Sequence, residues 1–509
     1  LETQVVVIGG GITGAGILRD LAMRGIEAVL VEKGDLAHGT SARFHGLLHS
    51  GARYAVTDPA SAQECIRENL IQKKTAAHCI EDTVGVFIQL AEDDPCFVAQ
   101  WQKACGDTGI DIKEIDCAEL LKREPNLSPV IIRAFQVPDA AVDGFKLIQD
   151  NVLAAKQYGA KVLTYGQAVS LAVSSGRVCG VTVRRPSGDE EFISCQIIVN
   201  AAGPWTGEIA ALAGLKLNLV LNKGTLLAFN HRLTNTIINR CRRPGDGDIL
   251  VPHHTVSIYG TTSVNVTEPD TDAGVYEEVG RLLALGRQMI PLMEEARILR
   301  AFTGVRPLYQ PDGEPGDGMG REVTRDFFVI DHEEEDGLSG LVSIVGGKFT
   351  TYRLMAERTV NLVAEKLGNK APCRTAGEVL PGSRCQREER PAPDQENQVI
   401  CECEQVTEKQ LEQAMGGEGW FTLNDLRRKT RMGMGTCQGT FCTYRALAVA
   451  QKDQNRMHLN TLGLVQDLLG ERWKGMQPVL WGPGVKEAEL MRAVYSDILD
   501  MEGLDAQDE

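Results

Sequence analysis

The segment Val5-Val6-Val7-Ile8-Gly9-Gly10-Gly11-Ile12-Thr13-Gly14 constrains this chain more than any other. An apolar run ends on glycines at G-x-G-x-x-G spacing. The pattern reads as a buried strand from Gln4 to Ile8, a turn from Gly9 to Gly14 and a helix to about Arg24. Gly25 stops that helix and Ala28 to Val31 reads as a second strand, giving a βαβ unit of a parallel sheet. Gly9, Gly11 and Gly14 let the backbone approach a pyrophosphate at the helix N-terminus, where the helix dipole favours an anion. Glu32 ends the second strand 18 residues after Gly14 and can accept hydrogen bonds from ribose hydroxyls. Strand, helix and acid together indicate a dinucleotide site. The fingerprint alone does not separate a flavin from a nicotinamide.

A second signal lies near the other end. Cys401-x-Cys403 and Cys437-x4-Cys442 are separated by 33 residues. Thiolates favour iron–sulfur clusters or zinc, and a four-sulfur tetrahedron suits either. Glycines around Cys437 allow N–H groups to approach cluster sulfurs and tune the potential. Leu423 to Lys429 reads as a short helix between the pairs, and Cys373 and Cys385 read as linker thiols. A two-electron organic cofactor and a one-electron cluster on one chain suggest an electron wire.

Composition narrows the setting. With 509 residues, roughly two to four domains are expected. No stretch reaches the roughly 18 uncharged apolar residues of a spanning helix, so membrane association is expected to be peripheral or through a partner. A formal charge of −16 argues against nucleic acid but not against a small anion held by a local cationic cluster. Most of the 14 cysteines stand alone, which suits reduced thiols better than a disulfide framework. Residues 60–80 and 145–158 read as helical, 161–200 as short strands, and 215–345 as strands and loops with a helix near 276–289. Thr350 to Leu367 reads as a long helix. Prolines at 372, 381, 391 and 393 punctuate a polar run. The expected units are 1–370, a linker at 371–398, a cysteine module at 399–446 and a helical tail at 447–509.

Further motifs carry a resemblance. Gly39-Thr40-Ser41, His49-Ser50-Gly51-Ala52-Arg53-Tyr54, Asn200-Ala201-Ala202-Gly203-Pro204-Trp205, Gly304-Val305-Arg306-Pro307-Leu308, Thr324-Arg325-Asp326 and Gly346-Gly347-Lys348-Phe349-Thr350-Thr351-Tyr352-Arg353 follow in this order. Over about residues 1 to 370 the chain resembles the FAD-dependent glycerol-3-phosphate dehydrogenases. Its cysteine module resembles the BFD-like [2Fe-2S] domain. The combination is similar to the anaerobic, multi-subunit branch of that family over nearly the whole chain.

The resemblance implies an α/β fold: a Rossmann-type FAD-binding domain with an interleaved mixed-sheet substrate domain, plus a small α-helical [2Fe-2S] module. It implies oxidation of sn-glycerol 3-phosphate to dihydroxyacetone phosphate, with hydride transfer to FAD. Electrons would pass through the cluster to partner subunits B and C and a membrane quinone. The chain would lie on the cytoplasmic face of the membrane, held there by those partners. Arg53, Tyr54, Arg306, Arg325 and Lys348 would line the substrate pocket. Thr40, Ser41, Ala202, Gly203, Gly347 and Lys348 would join the cofactor contacts. Arginine grips phosphate with a bidentate fork and lysine acts as a point charge. A helix N-terminus after Gly346-Gly347-Lys348 would face the flavin's pyrimidine edge.

Catalytic roles are expected at His49, Arg306 and Lys348, with His49 the first choice of proton acceptor, in keeping with histidine chemistry near pH 7, and Arg306 the second. Related single-subunit enzymes carry a histidine just after a Lys-Gly-Ser run; this chain reads Lys223-Gly224-Thr225-Leu226 instead. His45, His253 and His254 are further candidates. Two other readings stay open, an FAD-dependent dehydrogenase of an amine or 2-hydroxy acid and a non-catalytic electron-transfer subunit. Zinc stays open at the cysteines.

Overall fold

The computed structural model describes residues 1–271, 273–310, 326–384, 397–416, 421–452 and 460–498. Strand β1 (Val5–Ile8) pairs in parallel with β2 (Ala28–Val31) on one side and with strand Ile197–Asn200 on the other. Lys161–Leu163 extends the sheet beyond β2, Leu341–Gly346 extends the opposite side, and Phe327–Asp331 closes that edge antiparallel. All four residues of each central strand are buried, as a sheet covered on both faces requires. Helix α1 (Ile12–Met23) covers one face, burying Ile17, Leu18 and Leu21 with Val5, Val7, Leu30 and Val360. A three-stranded antiparallel sheet over residues 167–194 covers the other through Leu171, Val181 and Ile193.

The turn between β1 and α1 admits only glycine at two points. Gly9 has φ +117, and a Cβ there would stand 2.4 Å from the Ala201 carbonyl oxygen. A Cβ on Gly14 would stand 1.9 Å from the carbonyl oxygen of Gly9. The helix therefore starts in contact with the strand ends, and its first N–H groups face a cleft.

A larger mixed sheet forms the second half of the flavin unit. Its longest pair is Leu219–Phe229 against Ile298–Tyr309, which sets Asn222 opposite Arg306. Gly85–Leu90 and Ile131–Val137 join the same sheet from much earlier in the chain, so the two halves interleave as expected. The helix Pro95–Asp107 is absent from the sequence expectations. It starts on an Asp94 cap followed by proline and buries Phe97, Val98 and Trp101.

Two expected boundaries shift. The segment expected as a linker from 371 lies along the flavin unit as far as Arg384. Leu380 is fully buried, its N–H donates to the Thr75 carbonyl at 2.8 Å, and Gly382 N donates to Asp150 Oδ2 at 2.9 Å. Residues 385–396, with Cys385, lie outside the described residues. The expected tail is no appendage either. Helices Thr461–Met476 and Pro483–Arg492 share one core with the cysteine module, where Val465, Leu468, Met491 and Tyr495 pack with Leu411, Leu426 and Ala446. A unit of some fifty residues is marginal on its own, and the later helices add to its core. The module rests on the flavin unit through Lys429–Asp35 at 3.1 Å, Arg431–Asp143 at 3.7 Å and Arg297–Glu487 at 3.6 Å.

Gly14→Ala is expected to yield protein with little bound flavin and a fold weakened by about 1–3 kcal/mol, as overpacking costs. Gly106→Ala, where a Cβ meets nothing within 4 Å, is expected to leave the unfolding midpoint unchanged or higher. Flavin-to-protein ratio and thermal unfolding of both variants check this.

Candidate functional site

A cavity of about 410 Å³ opens at the C-terminal ends of β1 and β2, lined by Gly9, Gly11, Glu32, Thr40, Ser41, Ala202 and Gly203. Ser41 Oγ accepts from Ile12 N at 3.1 Å, and a Cβ on Gly11 would come within 3.0 Å of that oxygen. Glu32 accepts from Gly10 N at 2.6 Å and from Gly34 N at 2.9 Å, one bond to each oxygen. Burial pushes its pKa up and these two N–H groups hold it back. Each oxygen keeps lone-pair capacity for a ribose hydroxyl. Gly14 stands behind this wall rather than in it, as the crossing residue. The cleft suits the adenosine and pyrophosphate of a dinucleotide. Thr40 Oγ1 donates to the Val305 carbonyl at 2.6 Å, tying the cleft to the strand that carries Arg306.

Of the expected substrate residues, Tyr54 and Lys348 lie together, beside His49. The 3₁₀ turn Ala52–Tyr54 places Arg53 and Tyr54. Gly346 and Gly347 both have φ +77, and Lys348 caps the short turn that leads into helix Tyr352–Lys366. Lys348 Nζ lies 5.2 Å from the Tyr54 ring centroid and donates to Ser61 Oγ at 2.8 Å. Arg306 donates to Asn222 Oδ1 and to Thr261 Oγ1, each at 2.6 Å, and a Cβ on Gly224 would stand 2.3 Å from its Nη2. Arg53 pairs with Asp248 at 2.9 Å and donates to the Gly245 carbonyl at 3.1 Å, and the same carboxylate also pairs with Arg242 at 2.8 Å. Arg325 lies outside the described residues. Asp248, Asn222, Thr261 and Ser61 are the partners that sequence reasoning missed. None has a local signature, although Asn222 adjoins the Lys223 segment singled out for its missing histidine.

The His49 ring lies 5.6 Å from the Tyr54 ring and 5.8 Å from the His45 ring, and its backbone N–H donates to Thr350 Oγ1 at 3.0 Å. Burial first, then Arg53 and Lys348, push its pKa down to about 3. It is therefore not poised near neutrality as histidine chemistry led one to expect. It stands as a neutral, weakly basic imidazole under a cationic field. His45 Nδ1 accepts from Leu47 N at 3.2 Å, and burial pushes its pKa well down. His253 Nε2 donates to the His45 carbonyl at 2.9 Å. His254 occupies the turn between Ile249–His253 and Val256–Gly260. Lys223 is buried in an ion pair with Glu278 at 2.9 Å, and Thr225 Oγ1 donates to the same carboxylate at 3.0 Å.

The four module cysteines come together in pairs drawn from opposite motifs. Cys403 Sγ lies 3.8 Å from Cys437 Sγ. A hydrogen bond from the Cys442 thiol, helped by the N–H groups of Gly433 and Glu404, pulls Cys401 down to about 6 against the effect of burial. The same pairing pushes Cys442 well up. Burial raises Cys437 while the N–H groups of Gly439 and Phe441 oppose it. The charges of Cys401, Cys437 and Cys403 all act on Cys442, so the two pairs face one another. Two thiol pairs with backbone donors suit a cluster of two irons. Cys403→Ser is expected to lose iron and the cluster's visible absorbance while keeping flavin. Cys373→Ser, in the segment packed on the flavin unit, is expected to keep both. Metal analysis with a visible spectrum decides.

Comparison with known proteins agrees with both sites. Residues 4–357 match the FAD dependent oxidoreductase family, and residues 399–451 match the BFD-like [2Fe-2S] binding domain, so the zinc reading gives way to iron–sulfur. The chain is 43% identical to the A subunit of the anaerobic glycerol-3-phosphate dehydrogenase of Escherichia coli (strain K12), over 98% of this chain and 97% of that one. It is 39% identical to the A1 subunit of the corresponding Haloferax volcanii enzyme, over 97% and 90%. The solved glycerol-3-phosphate dehydrogenase of Bacillus halodurans, complexed with FAD, shares the fold with a TM-score of 0.58 at 22% identity, over 98% of this chain and 87% of that one. With a glycine cleft shaped for a dinucleotide and cysteine pairs shaped for two irons, the chain belongs to the FAD dependent oxidoreductase family and carries a C-terminal BFD-like [2Fe-2S] binding domain.

Proposed function

We propose that this chain oxidises sn-glycerol 3-phosphate to dihydroxyacetone phosphate and passes the electrons through its [2Fe-2S] cluster to further subunits of a complex. The observation that carries the reading is the cluster of Lys348, Tyr54 and His49, with Arg306 on the strand that Thr40 ties to the dinucleotide cleft. It occurs in a chain whose 43% identical relative bears that activity in its name. FAD, when bound, supplies the hydride acceptor for C2 of the substrate. Arg306 and Lys348 bind the phosphate dianion, and Asn222, Thr261 and Ser61 aim them. Tyr54 closes the pocket beside Lys348. His49 receives the hydroxyl proton. Gly346 and Gly347, both at positive φ, carry the turn before helix Tyr352–Lys366, whose N-terminus would favour the negative charge of a reduced flavin.

Residues 1–370 would act as the catalytic unit and residues from 399 onward as the electron-transfer unit. Cys401, Cys403, Cys437 and Cys442 would hold the cluster, which carries electrons singly. The relative is named as one part of a larger enzyme, which supports a complex; in this reading partners B and C would conduct to a membrane quinone from the cytoplasmic face. No helix among the described residues is long and apolar enough to cross a membrane, so anchoring would fall to a partner.

Anaerobic mixing of the flavin-loaded chain with a substrate panel tests the reading. Glycerol 3-phosphate is expected to bleach the flavin, while glycerol, a 2-hydroxy acid and a secondary amine are not. Bleaching by the amine or hydroxy acid instead would overturn it. Lys348→Met is expected to lower kcat/KM about 10²–10³-fold, the scale of losing one aligned charged donor.

The low pKa of His49 gives a signed pH dependence. The free site keeps His49 neutral down to about pH 3, because Arg53 and Lys348 disfavour its protonation. A bound phosphate dianion offsets that field and raises the proton affinity of His49. The acid limb of the flavin-reduction rate at saturation should therefore lie at higher pH than the limb of kcat/KM. Coincident limbs would remove His49 from the proton path.

A further inference from the structure

A second cavity, of about 370 Å³, lies between the flavin unit and the cysteine module, and the reaction proposed above makes no use of it. Phe44, Phe302 and Trp205 contribute an apolar wall, and Arg300 and Arg427 face it from the two sides of the interface. Arg427 forms no ion pair and no side-chain hydrogen bond among the described residues, and its Nε is buried without a partner. Arg300 Nε is buried and unpartnered too, and its Nη2 reaches only the Glu471 carbonyl, at 3.4 Å. Behind them Arg472 is 3% exposed, with Nε and Nη2 unpartnered.

Four of the six carboxylates that line the cavity form ion pairs with other cations, Asp270 accepts from Trp205 at 3.2 Å, and the Glu471 charge also acts on Arg300 and Arg427. Asp425 pairs with Arg428, Asp35 with Lys429, Asp143 with Arg431, Glu471 with Lys474, and Asp467 accepts from Asn424. Three guanidinium groups are thus crowded together with their donors unmet. Burial pulls Arg300 down to about 10 and lowers Arg427 and Arg472, and Arg300 and Arg472 add to the fall at Arg427. Buried donors without acceptors are costly, and one dianion among these side chains would meet several at once.

We propose that this cavity binds a small phosphate-bearing anion, gripped by Arg300 and Arg427, which braces the cysteine module against the flavin unit. A volume near 370 Å³ leaves room for an organic portion against Phe44 and Phe302. Met434 and Gln438, on the loop that carries Cys437, also line the cavity, so occupancy bears on how the cluster loop sits. Anion binding here is independent of which substrate the catalytic pocket takes.

The test is thermal unfolding and calorimetric titration of the cofactor-loaded chain with inorganic phosphate, glycerol 3-phosphate and dihydroxyacetone phosphate. Wild type, Arg306→Ala, Arg427→Gln and Arg300→Gln are compared. Phosphate is expected to raise the unfolding midpoint of wild type and of Arg306→Ala, and both cavity variants are expected to bind at least tenfold more weakly. Without ligand, Arg427→Gln should melt no lower than wild type, because it removes a repelling charge. In the Arg306→Ala background, tighter binding of an ester than of inorganic phosphate identifies a phosphate ester as the ligand; equal binding identifies free phosphate. No phosphate-dependent shift in Arg306→Ala, or an undiminished shift in Arg427→Gln, would overturn the proposal. So would anion insensitivity combined with loss of a partner protein in Arg427→Gln, which would assign the arginines to an acidic protein segment. Flavin bleaching by glycerol 3-phosphate reads the catalytic pocket separately.

Discussion

The close crossing of α1 over β1 is the constraint on which the catalytic half depends. Gly9 and Gly14 let a helix start in contact with the ends of parallel strands. Cofactor-facing N–H groups, the cleft itself and the seat for Ser41 all follow from that contact. Thr40, in the same loop, holds the strand bearing Arg306 by a hydrogen bond to Val305. A local steric allowance thereby reaches the substrate pocket, more than 260 residues further along the chain.

Arg53 shares the Asp248 carboxylate with Arg242, so part of its charge remains to act on its neighbours. Arg306 and Lys348 are oriented by hydrogen bonds to the neutral side chains of Asn222, Thr261 and Ser61. His49 lies under the field of Arg53 and Lys348, which keeps it neutral. An entering dianion would change that field at the same moment as it places its alcohol, so binding and proton acceptance become coupled. The interface between the two units shows the opposite arrangement. There most of the acids are paired off, and Arg300, Arg427 and Arg472 each keep a buried Nε without an acceptor.

Much of this is legible in the sequence where chemistry repeats locally. The glycine turn with Glu32, and the paired cysteines, carry their spacing in adjacent residues, and the structure brings the first to a cleft and the second into facing pairs. The long helix after Lys348 and the helix at 276–289 follow from apolar periodicity. What escapes depends on contacts across the fold. Asp248 meets Arg53 across 195 residues, and Asn222 meets Arg306 across 84 through a strand register. No spacing rule encodes such meetings. The perturbed His49 is likewise a property of burial and neighbours, not of its motif. The tail reads as an appendage in sequence because its apolar residues meet those of the cysteine module only after folding.

The central claim is that one chain both collects an electron pair and releases it singly. Electron paramagnetic resonance of the flavin- and iron-loaded chain, frozen after anaerobic addition of excess glycerol 3-phosphate, tests it most directly. The account predicts that the flavin bleaches and the signal of a one-electron-reduced [2Fe-2S] cluster then appears. A bleached flavin beside a cluster that stays oxidised, yet is reduced by dithionite in the same sample, would contradict it.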